Sequence, residues 1–199
     1  MAKEPPPDLV LLDIGLPDID GLEVLRMIRA RSDLPVILVT ARAEELDTLL
    51  GLSVGADDYV TKPFSPREIV ARTGTVLRRA RSAPDNAMPD DGVLRFDGLT
   101  IDVPRREARV PAGTVSLSAL EFDLLLALAR SPGRVFSRAQ LLEQVWGYDF
   151  FGDERVVDVH IRSMRKALGD SATAPSIIGT TRGVGYRFLP APVSERADR

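Results

Sequence analysis

The sequence predicts two domains of different class, an α/β domain over residues 1–80 and an α+β domain over residues 93–190. Three observations predict it. Up to residue 80, short apolar runs alternate with helix-period segments, the order that builds a parallel sheet with right-handed crossovers. From residue 93 the pattern changes to brief alternating strands cut by Gly, Pro and Arg turns. Near the end, an amphipathic helix at Arg155–Leu168 is followed by a Gly-containing hairpin at Thr180–Phe188. Between the domains, residues 81–92 contain two prolines, three aspartates and a glycine with almost no apolar pattern, and read as a tether. Residues 191–199 read as a flexible tail.

Composition narrows the chemistry. The chain has no cysteine, which excludes disulfides, thiol catalysis and zinc fingers. No apolar run reaches membrane-spanning length, and MAKEPPPD lacks the apolar centre of a signal peptide, so a cytoplasmic protein without a membrane partner is expected. The net charge of −3 is unevenly spread: residues 1–80 hold 10 Lys/Arg against 13 Asp/Glu, and residues 93–190 hold 13 against 11. Local field governs contact with phosphates more than total charge does. The two halves are therefore expected to have different partners.

In the first domain the run Asp8–Asp13 is apolar until it ends in a carboxylate, as suits a strand covered on both faces. Gly15, Pro17, Asp18, Asp20 and Gly21 make a turn, and Leu22, Leu25 and Ile28 a helix stripe. Pro35–Val39 is a second strand ending at Thr40, followed by a helix through Leu46, Leu49 and Leu50. Asp58–Val60 is a third strand, ending at Thr61-Lys62-Pro63. Ser65, Pro66 and Glu68 then start a helix with a capping box. In parallel sheets, ligand chemistry gathers at the carboxyl ends of the strands. Asp13, Thr40 and Lys62 converge there, and a carboxylate, a hydroxyl and an ammonium together can hold a phosphoryl group.

DLVLLDIGLPDIDG (8–21), VTAR (39–42) and GADDYVTKPFS (55–65) resemble the receiver domain of OmpR/PhoB-type two-component response regulators, a flavodoxin-like fold. The resemblance implies that Asp13 accepts the phosphoryl group from a sensor histidine kinase. It makes Thr40 and Tyr59 the switch pair, and Lys62 the phosphate-binding lysine with a cis bond to Pro63. It also implies Mg²⁺, held by Asp13 and the Gly15 carbonyl. Receivers of this family carry two β-α units and an acidic Mg²⁺-binding pair ahead of the Asp13 strand. A partial receiver with a three-stranded sheet remnant and an incomplete metal site is therefore expected. The family's homodimer surface falls on residues 44–79, with Asp58–Arg72 and Asp57–Arg79 as cross-subunit ion pairs. Glu68 belongs to that surface too, but meets Thr48 where the family has a base.

In the second domain, strands are expected at Val93–Phe96, Leu99–Val103, Glu107–Val110 and Thr114–Leu117. Ser118 with Glu121, and Ser137 with Gln140, form capping boxes that open two helices. On the helix at 155–168, Val157, Ile161, Met164 and Leu168 share one face. Arg155, Asp158, Val159, Arg162 and Lys166 share the other, with Ser163 and Arg165 at its edges. The outer face makes a basic ridge of a width that suits the DNA major groove. Arg182 stands at the tip of the hairpin that follows. His160 reads as a packed histidine and Trp146 as core.

SALEFDLLLALA, VFSRAQLLEQVWG, ERVVDVHIRSMRKALG and TTRGVGYRF resemble the winged-helix domain of the same family. That implies a transcription factor bound to double-stranded DNA, with the 155–168 helix in the major groove and Arg182 in the minor groove. Arg155, Arg162, Ser163, Arg165, Lys166 and Thr180 become backbone or base contacts, and Val159 a contact to a thymine methyl. The 146–154 loop becomes a surface for RNA polymerase. Two other readings are kept open: a phosphorylation-independent DNA-binding regulator whose receiver only dimerises, and an aspartyl-phosphate phosphohydrolase. The latter needs a second carboxylate two residues after the nucleophile, where this chain has Gly15.

Overall fold

A computed structural model describes residues 7–41, 54–81, 91–147 and 154–193, with side chains of the helix that ends at Arg81 described through residue 77. The first domain opens with β1 (Val10–Asp13), α1 (Gly21–Arg29) and β2 (Val36–Thr40). It continues with β3 (Asp58–Thr61) and α2 (Pro66–Arg81). The strands pair in parallel in the order β1-β2-β3. Every residue of β2 is buried, as an all-apolar central strand requires. Leu22 and Leu25 of α1 pack with Leu12, Val36 and Leu38. β1 and β3 are the edge strands of this sheet among the described residues, and Leu11 of β1 is 48% exposed. The helix expected through Leu46, Leu49 and Leu50 lies outside the described residues.

The start of α2 differs in one detail from its sequence reading. Ser65 Oγ accepts from the Glu68 amide at 3.1 Å, but the Glu68 carboxylate accepts from Arg72 at 2.9 Å. The ion pair one turn on has taken the acid that a reciprocal box would use.

The second domain begins with an antiparallel sheet in the order β4 (Val93–Phe96), β5 (Leu99–Asp102), β6 (Glu107–Val110), β7 (Gly113–Val115). Then come α3 (Ala119–Ala129), β8 (Val135–Ser137), α4 (Arg138–Trp146), α5 (Arg155–Leu168), β9 (Ile178–Thr181) and β10 (Gly185–Phe188). Both capping boxes form, at Ser118/Glu121 and Ser137/Gln140. α3 is buried on nearly all sides, because α4, α5, β10 and the first sheet surround it. Phe96 of that sheet meets Phe188 of β10 edge-on at 4.6 Å. Arg106 donates to the Ala119 carbonyl and pairs with Asp123 at 2.8 Å. The sheet and the helices thus share one core.

The expectation of a flexible tail fails at its beginning. Val193 donates to the Arg95 carbonyl, Asp97 donates to the Ala191 carbonyl, and Pro192 bridges Phe96. The open edge of β4 recruits these residues because an unpaired edge carries unsatisfied amides and carbonyls. Residues 194–199 lie outside the described residues.

Candidate nucleic-acid interface and phosphoryl site

β9 and β10 form the expected hairpin, and β8 extends it to an antiparallel sheet in the order β8-β10-β9. The turn closes with Val184 donating to the Thr181 carbonyl, and Gly183 takes φ +74°, a conformation costly for other residues. Gly185 is required for a different reason. A Cβ there would stand 1.9 Å from the Phe136 carbonyl oxygen and force β8 off β10.

α5 carries Val156, Val157, His160, Ile161, Met164 and Leu168 inward and Arg155, Arg162 and Lys166 outward. Val159 and Ser163 are half-buried along the boundary. Thr180 and Arg182 are exposed on the hairpin beside it. The outward cations of the helix form a basic surface outside the core, and Arg182 is exposed on the hairpin that Arg165 ties to the helix. Gly169 ends the helix in the left-handed conformation, and Arg165 and Lys166 occupy the last turn, where cations suit the helix dipole.

Arg165 does not belong to that surface. It is 9% exposed, donates to the Ile178 carbonyl at 2.5 Å and the Thr180 hydroxyl at 2.8 Å, and lies over the Tyr186 ring. The expectation that it touches DNA is corrected: its position at the edge of the basic face lets the long side chain turn under the hairpin and satisfy β9. Asp170 completes this seam by accepting from the amides of Ser176, Ile177 and Ile178. Neither role was legible from helical spacing, because both depend on where β9 lies. His160 is fully buried, with its ring 5.6 Å from that of Trp146. Most of the loop assigned to RNA polymerase, including Tyr148, Phe150 and Phe151, lies outside the described residues.

At the carboxyl ends of the parallel strands, Lys62 closes on Asp13 Oδ2, and the Gly15 amide donates to Asp13 Oδ1 at 3.0 Å. The Lys62 hydrogen bond, then that of Gly15, hold the Asp13 carboxyl below its usual range. The Lys62–Pro63 bond is cis, as expected. Thr40 is 2% exposed at the end of β2, whose carbonyl accepts from the Lys62 amide at 2.7 Å; Tyr59 is half-buried on β3. The structure therefore brings Asp13, Thr40 and Lys62 to one end of the sheet.

The receiver family uses Mg²⁺, but the residues here make a poor fit. Both Asp13 oxygens are engaged, Gly15 faces the carboxylate through its amide, and no cluster of three acids or histidines capable of holding a metal occurs among the described residues. A magnesium ion demands a nearly ideal octahedron of oxygens, which one carboxylate does not supply.

The expectation that Asp57 and Asp58 reach across to a second subunit is corrected: each is 2% exposed and paired inside its own chain, because α1 and α2 bring Arg29 and Arg72 onto them. Arg29 binds Asp57 at 2.7 Å, and the Val36 amide donates to the same oxygen. Arg72 spans Asp58 at 3.1 Å and Glu68 at 2.9 Å, and the opposing carboxylates hold its guanidinium pKa up against burial, which alone would lower it. Arg29 was not singled out in the sequence, because Arg26, Arg29 and Arg31 stand together at the end of α1 and spacing does not say which of them reaches Asp57. The Arg79 side chain and Thr48 lie outside the described residues.

Comparison with known proteins agrees with both domains. Residues 1–73 match the family described as response regulator receiver domain, and residues 112–188 match transcriptional regulatory protein, C terminal. The receiver match gives no support to the expectation that the domain is shortened. The chain is 46% identical over 181 residues to the sensory transduction protein RegX3 of Mycolicibacterium smegmatis, covering 91% of this chain and 79% of the relative. It is 45% identical over 189 residues to the DNA-binding response regulator MtrA of the same organism, covering 95% and 80%. Among solved structures, a point mutant of RitR superposes with a TM-score of 0.70 at 28% identity, over 92% of this chain and 79% of that one. A receiver-type parallel sheet followed by a winged helix, with relatives of this identity across nine-tenths of its length, places the chain in the OmpR/PhoB-type family of two-component response regulators, which are DNA-binding transcription factors.

Proposed function

We propose that this response regulator reads duplex DNA with Arg155, Arg162 and Lys166 of α5 and Arg182 of the hairpin, and that Asp13 gates the reading by accepting a phosphoryl group. The observation that carries the first half is the exposure of all four cations, three on one face of α5 with the core-facing residues on the other, and the fourth on the hairpin next to it. In this reading Val159 and Ser163, half-buried at the edge of the basic face, meet base edges, and the exposed Thr180 meets a phosphate. The inward turn of Arg165 leaves three helix cations to make the electrostatic contact.

For the second half, an Asp13 carboxylate oxygen attacks the phosphorus of a phosphohistidine on a sensor kinase. The P–N bond breaks, and the imidazole leaves with the bonding pair and takes up a proton. Lys62, already on the carboxylate, follows the new charge onto a phosphoryl oxygen. Thr40 and Tyr59 respond to it as the switch pair. Hydrolytic turnover is not part of the reading, since Gly15 occupies the position where a general acid or base would stand. Two chains bind DNA together through the face that carries Glu68 and Arg79, with Asp57, Asp58 and Arg72 held inside each chain beneath it. The loop after Trp146 meets RNA polymerase, and the protein works in the cytoplasm. No helix among the described residues is long and apolar enough to cross a membrane.

The test combines two readouts on the full chain. Arg162→Ala and Arg182→Ala each lower affinity for a duplex selected from a random library, by about tenfold for a residue contacting base or minor groove. Intact mass after treatment with acetyl phosphate rises by one phosphoryl group, and Asp13→Ala abolishes the rise. Affinity unchanged by both arginine replacements contradicts the DNA surface; an unchanged mass contradicts the gating.

A further inference from the structure

Asp158 is out of place on a surface built to meet phosphates. It lies on the same face of α5 as Arg155, Arg162 and Lys166, its side chain is 39% exposed, and an isolated carboxylate there would repel the DNA backbone. The structure accounts for it. Asp158 Oδ1 accepts two hydrogen bonds, from Arg138 Nε at 2.7 Å and from the Tyr186 hydroxyl at 2.7 Å. Arg138 is the first residue of α4, and Tyr186 lies on β10, the strand that continues from the hairpin tip. The Arg138 guanidinium also lies over the Tyr186 ring, 5.3 Å from its centre. One oxygen atom thus joins the major-groove helix, the helix before it and the hairpin.

We infer that Asp158 and Tyr186 are positioning residues that fix the hairpin relative to α5, so that Arg182 and Arg162 reach adjacent grooves of one duplex together. This rests on the proposed DNA surface. The geometry favours positioning over simple core packing. The Tyr186 ring packs in the core, whereas its hydroxyl leaves the core to meet a partly exposed carboxylate beside the DNA-facing cations. The hydroxyl can therefore be removed without opening a cavity. Arg138 neutralises Asp158, which lets an acid sit on this face without opposing the DNA. The two arginines lie on separate elements, and a rigid link between them converts two independent contacts into one preorganised contact.

A double-mutant cycle on the full chain tests this, using the library-selected duplex, a scrambled duplex of the same length, and thermal unfolding as a check on the fold. Tyr186→Phe is expected to weaken binding to the selected duplex by about fivefold to tenfold, and to change binding to the scrambled one by less than about twofold. In an Arg182→Ala background the same replacement is expected to cost less than about twofold, because there is no longer a minor-groove contact to position. Asp158→Ala is expected to reproduce the Tyr186→Phe loss, and the two together to cost no more than either alone. If Asp158→Ala fails to fold, the Tyr186→Phe cycle decides. A full loss that persists without Arg182, an equal loss on both duplexes, or no loss on the selected duplex overturns the inference. Arg182→Ala alone tests the underlying DNA surface, so its failure to weaken binding is distinguishable from a failure of coupling.

Discussion

The difference between Arg162 and Arg165, three positions apart on one helix, shows how a residue's role follows from what its side chain reaches. Arg162 reaches solvent, whereas Arg165 reaches the Ile178 carbonyl and the Thr180 hydroxyl. Arg165→Ala leaves a buried carbonyl without its donor, so it is expected to destabilise the domain by about 1–3 kcal/mol in chemical denaturation. Arg162→Ala is expected to leave the denaturation midpoint unchanged. Tyr186 gives a pH signature. Burial, and then the Asp158 carboxylate, push its phenol from 10.0 up to about 12. The folded-state value is raised, so the protonated phenol contributes stability that is complete below about pH 10 and lost as pH rises toward 12. Ultraviolet titration of the chain minus that of Tyr186→Phe isolates this group from the other two tyrosines. Asp13 has the opposite sign. Its carboxyl is held low by Lys62, so the pair's small contribution is present above the ordinary carboxylate range and lost as pH falls through the lowered midpoint. Carboxyl-carbon NMR should find that midpoint below the usual range, and should find it raised in Lys62→Ala.

Among the elements, those whose signals are local were the ones legible from sequence. α3 begins where Ser118 and Glu121 cap each other, and Ser118→Ala is expected to lower stability by about 1 kcal/mol in thermal unfolding. The four strands of 93–115 followed from alternation and turn residues, with boundaries off by a residue or two. β8 did not: Val135–Ser137 is three residues long, its Phe136 reads equally well as a helix staple, and its strand character comes from pairing with β10, fifty residues away. The strap at 191–193 escaped for the same reason, since its hydrogen bonds are to β4. In the receiver, strand-end positions made Asp13, Thr40 and Lys62 visible. The internal partners of Asp57 and Asp58 depend on the packing of α1 and α2 against the sheet, which spacing alone does not give. The glycine pattern of the hairpin was legible as a turn, but the reason for Gly185 is the nearness of Phe136.

For the whole molecule, a net charge of −3 conceals the surface that matters. Residues 1–80 carry an acidic surplus, while α5 and the hairpin of the second domain expose Arg155, Arg162, Lys166 and Arg182. On the proposed contact surface, association with DNA is governed by this local patch, and its strength falls with salt according to how many phosphates the patch neutralises. The most direct test of this account is the salt dependence of equilibrium binding to the selected duplex, for the parent chain and for a chain carrying Arg155→Ala, Arg162→Ala and Lys166→Ala together. The log–log slope is expected to be shallower by about 2.7 in the triple variant, about 0.9 for each phosphate contact removed. Parallel lines of equal affinity would place the DNA on some other surface and contradict it.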